Sequence, residues 1–175
     1  MTEPVPQRTQ EPDLRGFNEL GQDAAHALLL TCLDIPRWAA LVVAGRPYAD
    51  PHRLAATMRS AAVTITDEEL TRALARHPRI GERADAARHE AAHSEREQSG
   101  IDRTDDDLAR QLVEGNRAYE ERFGQVFLIR AAGRSGQEVL AQLRLRLRNT
   151  DEQERAETIE QLVQIALLRL QEALH

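Results

Sequence analysis

Two groups of residues have types and spacings that chemistry can use. His89-Glu90-Ala91-Ala92-His93 is a literal H-E-x-x-H string. On a helix its imidazoles share a face, as a zinc ion requires, and Glu90 stands where a general base activates metal-bound water. A catalytic zinc needs a third protein ligand, and the extended motif places Gly and His three and six residues after the second His. Those positions hold Arg96 and Ser99. A glutamate further downstream remains open as the third ligand. The flanks, Asp85-Ala-Ala-Arg-His and His-Ser-Glu-Arg-Glu, are those of a solvated helix. The string therefore has two readings, a small zinc hydrolase centred on His89, Glu90 and His93 or a polar face in water, and the flanks favour the second.

The second group is His77-Pro78 followed by Ser94, Glu97 and Gln98. Pro78 pushes His77 out of helical geometry, onto a loop where an imidazole titrating near neutral pH can face a ligand. Ser94, Glu97 and Gln98 stand at i, i+3 and i+4, on one face of a helix. A hydroxyl, a carboxylate and an amide converging there suit a small, flat, polar ligand. Each half also has a plainer reading. His77 can bond the last carbonyls of the helix before it, and the other three can be ordinary polar surface. Neither motif decides a function alone.

Composition narrows the chemistry. The chain has 175 residues with a formal net charge of −6, and its 23 basic residues are all arginine. An acidic chain with scattered arginines lacks the basic face that a nucleic acid requires. The absence of lysine excludes Schiff-base catalysis, a pyridoxal-phosphate linkage and a P-loop. Cys32 is the single cysteine, which excludes an internal disulfide and any multi-cysteine metal site. No run of 18 apolar residues is present, and the polar N-terminus lacks a signal-peptide apolar stretch, so no membrane association and a cytoplasmic location are expected.

These residues must be positioned by helices. With aromatic residues at only 3%, the core has to be built from Leu, Ala, Val and Ile, which favours packed helices. Residues 1–13, with Pro4, Pro6 and Pro12, read as a disordered tail, and 14–175 as one domain. Helices are expected over Ala24–Leu33, Trp38–Ala44, Pro51–Ala62 and from Thr66 to about Arg76. Further helices are expected from about Arg83 to Gln98, over Asp105–Phe123, after Ser135 and after Thr150. Thr66 with Glu69 and Ser135 with Glu138 are capping boxes. Val126-Phe127-Leu128-Ile129 reads as a short, buried, extended run. The expectation is an all-α, single-domain bundle of about eight helices, with one extended segment near residues 126–130.

In order and spacing, the motifs together resemble the family of 2-oxo-4-hydroxy-4-carboxy-5-ureidoimidazoline (OHCU) decarboxylases. They are His77-Pro78-Arg79-Ile80-Gly81, then Ser94-x-x-Glu97-Gln98, then Asn116-x-x-Tyr119-x-x-Arg122-Phe123-Gly124-x-x-Phe127-Leu128-Ile129. Phe17-Asn18-x-Leu20, Arg37-Trp38 and Ile165 to Leu170 are similar to the family's first and last helices, so the likeness runs from about residue 14 to 174. One departure is Cys32-Leu33, where the family often carries a cysteine pair; it touches packing alone. The resemblance implies a helical, dimeric enzyme without metal or organic cofactor that converts OHCU to (S)-allantoin in urate breakdown. It implies His77 as the catalytic acid/base and Glu97 as its partner. It also implies Pro78, Ser94, Gln98, Phe127, Leu128, Ile129, Arg130, Ala131 and Arg169 around the substrate, the stretch from Phe127 to Ala131 mainly through its backbone.

Overall fold

The computed structural model describes residues 14–80 and 106–175. Eight helices lie within them: α1 (Leu14–Glu19), α2 (Gln22–Cys32), α3 (Pro36–Ala44), α4 (Pro51–Ala62), α5 (Asp67–Leu74), α6 (Asp106–Phe123), α7 (Gly136–Arg146) and α8 (Asp151–Ala173). The described residues contain no strand, and the fold is all-α as expected. The tail before residue 14 and the helix expected from about Arg83 to Gln98 lie outside the described residues.

Local sequence explains most of the boundaries. Three helices open on capping boxes: Thr66 with Glu69, Ser135 with Glu138, and Thr150 with Gln153. In each the hydroxyl accepts from a backbone N–H that the first turn leaves unpaired, and the longer side chain returns a bond to the cap. Asp50 caps α4 by accepting from the Arg53 N–H at 2.8 Å, and Pro51 supplies the preset first turn. Gly124 ends α6 with φ +66°, where a β-carbon would be strained, and Gly133 turns the chain again with φ +77°. Between these glycines lies the segment expected to be extended. Residues 126–131 carry no regular element, and Phe127, Leu128, Ile129 and Ala131 are buried.

The core has two parts. The larger joins α1 to α5 with α8 and centres on Phe17, Leu29, Trp38, Leu54, Met58, Leu162 and Ala166. The smaller joins α6, α7 and residues 127–131 through Leu112, Tyr119, Phe127, Ile129, Leu140 and Leu143, and it takes in Ile80. Gly115 lets α6 and α7 approach, since a β-carbon there would sit 2.5 Å from Cδ2 of Leu143. Tyr119 packs edge-on against Phe127, ring centroids 5.1 Å apart, and the Arg146 guanidinium lies 4.7 Å from the Phe127 centroid.

A charged network sits at the base of the smaller part. Arg146 and Glu154 are both buried, their side chains 5% and 1% exposed, with 2.6 Å between Nη2 and Oε1. Arg146 Nε also donates to Oε1 at 2.9 Å, Tyr119 donates its hydroxyl to the same oxygen, and Asn149 donates to Oε2 at 2.8 Å. Burial and the bond to Glu154 push the Tyr119 phenol up to about 12, so it stays a donor. Arg146 Nη1 reaches out of the pair to the Leu128 carbonyl at 2.6 Å. Removing one member leaves the other charge buried without a partner. Glu154→Ala is therefore expected to cost about 3–5 kcal/mol, read from denaturant unfolding, with Glu154→Gln milder. A cost under about 1 kcal/mol would show that water re-solvates Arg146.

Candidate active site

His77 follows α5 directly. Its backbone N–H donates to the Leu74 carbonyl at 3.0 Å, after which Pro78 prevents another helical turn. The side chain is buried, 7% exposed, and its ring makes no hydrogen bond to another described residue. Burial first, then the positive charges of Arg169 and Arg76, push the imidazole down to about 3. Arg76 is engaged with Asp34 in a half-buried ion pair. Arg169, from the C-terminal half of α8, is 1% exposed, and its Nη1 donates to the Cys32 carbonyl at 3.3 Å. His77 is thus a buried, uncharged imidazole on which two arginines act among the described residues.

The segment 127–131 is held from the opposite side. Arg146 takes the Leu128 carbonyl, and the Arg130 N–H donates to Oε1 of Gln161 at 2.8 Å. Gln161 is itself fixed, donating to Glu157 at 2.7 Å. The Arg130 carbonyl accepts from Arg134 Nε at 3.2 Å. Ile80, three residues past His77, packs in the same apolar cluster as Phe127, Ile129 and Ala131. The structure thus brings the His77 loop, with half-buried Pro78, and the segment 127–131 into one part of the molecule, and places Arg169 where its charge acts on His77. Ser94, Glu97 and Gln98, and the zinc-like His89, Glu90 and His93, lie outside the described residues.

Sequence reasoning passed over the polar residues that hold these walls. Glu154, Thr158 and Gln161 are buried on α8 at i, i+4 and i+7, one face that continues into the apolar Ile165. Polar residues on a helix's buried stripe were the signal, since such groups need partners.

A neutral imidazole beside a buried guanidinium suits an anion. A carboxylate near Arg169 would offset the second cause of the low His77 value, the first being burial. Fold and site together describe a small helical domain with a buried histidine on which a buried arginine's charge acts. The chain belongs to the OHCU decarboxylase family, whose model matches residues 18–171.

It is 32% identical over 139 residues to the 2-oxo-4-hydroxy-4-carboxy-5-ureidoimidazoline decarboxylase of Amia calva, covering 78% of this chain and 79% of that protein. It is 26% identical over 160 residues to the uric acid degradation bifunctional protein of Bacillus sp. (strain TB-90), covering 91% of this chain and 32% of that protein. The chain thus spans about a third of that bifunctional relative. Among solved structures, an OHCU decarboxylase in the presence of (S)-allantoin matches with TM-score 0.64 and 21% identity, over 83% of this chain and 95% of that one. An (S)-allantoin synthase matches with TM-score 0.65 and 20% identity, over 90% of this chain and 52% of that one. At such identities the two structures establish the fold. The family match favours the decarboxylase reading over the zinc hydrolase.

The buried histidine has a consequence for stability. In the unfolded chain an imidazole titrates at about 6.5, and in the fold it is held far below that. As pH falls below about 6.5 the unfolded chain gains a proton that the folded chain refuses, so stability is lost progressively toward about pH 3. Urea unfolding at successive pH values should show wild type losing stability more steeply than His77→Gln below about pH 6.5, and in parallel with it above. Parallel curves throughout would mean that His77 is solvated.

Proposed function

We propose that this chain decarboxylates OHCU to (S)-allantoin, with His77 as acid/base and Glu97 as its partner, and without metal or organic cofactor. The observation that carries the proposal is the family match across residues 18–171, with the motif's histidine buried beside Arg169. Pro78, Ser94, Gln98, the stretch from Phe127 to Ala131 and Arg169 surround the substrate. The working form is a cytoplasmic homodimer.

The chemistry follows from what the chain has and lacks. Breaking the bond to the carboxylate releases carbon dioxide and leaves an electron pair. No lysine is present to form an iminium sink. The substrate supplies its own, because its carboxylated carbon adjoins a conjugated carbon–nitrogen system into which the pair moves. The protein orients the carboxylate, bonds the heteroatoms on which charge grows, and delivers a proton to one face. Arg169 supplies the positive charge for the anion. His77 takes up and returns the proton, and Glu97 holds the imidazole or the substrate hydroxyl.

Freshly generated OHCU, with the allantoin followed by circular dichroism, gives the direct test. Wild type should form one enantiomer, since solvent alone protonates both faces equally. His77→Asn should lose at least ~10²–10⁴-fold of the enzymatic rate and give racemic product. Glu97→Gln should lower kcat more than it raises KM, the mark of an interaction made mainly in the transition state. Near-wild-type turnover by the His77 variant would remove it from the acid/base role.

The zinc-like string gives a separate expectation. His89→Ala with His93→Ala, and chelator treatment of wild type, should leave turnover close to unchanged. A loss that added zinc restores would promote the hydrolase reading.

A further inference from the structure

We infer that Asn116 on α6 is the positioning residue for His77, acting through the backbone of the loop from His77 to Ile80, with Glu120 as its second anchor. The inference rests on the reading of His77 as the acid/base. A general acid/base works only where its nitrogen meets the proton in transit, and displacement by about 1 Å can cost ~10²-fold. The His77 ring has no hydrogen bond to another described residue, and Pro78 removes the next backbone donor. Among the described residues, what sets the ring's position is how the loop is tied down at its two ends.

One end is the His77 N–H on the Leu74 carbonyl of α5. The other is α6. Asn116 Nδ2 donates to the Ile80 carbonyl at 3.0 Å inside the core. Glu120, one turn along the same face, accepts from Nε and Nη2 along one edge of the Arg79 guanidinium, with Oε2 2.9 Å from Nη2. Only Pro78 and Arg79 lie between His77 and Ile80, a reach of no more than about 11 Å. A shift of the Ile80 carbonyl is thus passed along a very short lever.

Asn116 is poorly chosen if its role is packing. It is 4% exposed, and its Oδ1 has no hydrogen-bond partner among the described residues. A buried acceptor left unpaired is unfavourable, and an apolar residue of similar size would remove it only by also removing the donor to the Ile80 carbonyl. What the asparagine offers is its donor to Ile80. The same helix carries Tyr119, whose hydroxyl enters the Glu154 network that ends on the Leu128 carbonyl. α6 thus sets the register between the His77 loop and the segment 127–131.

The test uses the full chain and the OHCU assay. Asn116→Leu should lower kcat roughly 10–100-fold with KM little changed, while Tm changes little, because losing the unpaired Oδ1 offsets unpairing the Ile80 carbonyl. In a His77→Asn background the same change should cause no further loss, because both act through one group. Arg79→Glu should lower kcat, and adding Glu120→Arg should recover much of it; this pair carries the test if Asn116→Leu fails to fold. Full kcat in Asn116→Leu, an equal further loss in the His77→Asn background, or no recovery in the charge swap would each overturn the inference. If His77→Asn itself stays active, the acid/base reading falls and takes this inference with it. If His77→Asn is inactive and Asn116→Leu is not, only the positioning role fails.

Discussion

The buried pair of Arg146 and Glu154 is the constraint on which the rest of the smaller core is built. Two charges withdrawn from water are costly, and the pair is tolerable only if every remaining donor and acceptor is used. Here they are used to a structural end. Glu154 gathers α6 through Tyr119, α7 through Arg146 and the turn before α8 through Asn149. Arg146 then spends a donor on the Leu128 carbonyl, in a segment with no regular element to satisfy it. An irregular buried segment has backbone groups that must find partners outside itself. The charged pair and Gln161 are those partners.

α8 connects this network to the surroundings of the buried His77. Its apolar residues complete the larger core, while Glu154, Thr158 and Gln161 face α7 and the irregular segment, and Arg169 lies further along, where its charge reaches His77. A single 23-residue helix thus sets the distance between the segment's supports and the buried guanidinium. Helices are stiff over such lengths, so a site built on their ends keeps its dimensions better than one built on loops.

The electrostatics of the described residues hold His77 neutral. A neutral histidine buried beside an arginine is an environment that opposes its own protonation. Burial is the larger cause of that opposition and the guanidinium the smaller.

The sequence by itself determined the helices and much of the candidate site's identity. Capping boxes at Thr66 and Ser135, Pro51 after Asp50, and the apolar stripe of the last helix are local signals, decided within a turn or two of chain. Pro78 likewise took His77 out of the helix through its immediate neighbour. Burial and partnership were not legible in this way. That His77 is dry, that Arg169 bears on it across 92 residues of sequence, and that Glu154 meets Arg146, Tyr119 and Asn149 are products of how helices pack. The shift of a titrating group depends on the solvent and charges around it in space. A periodic pattern marks the face a residue occupies, and only the packed structure decides what that face meets.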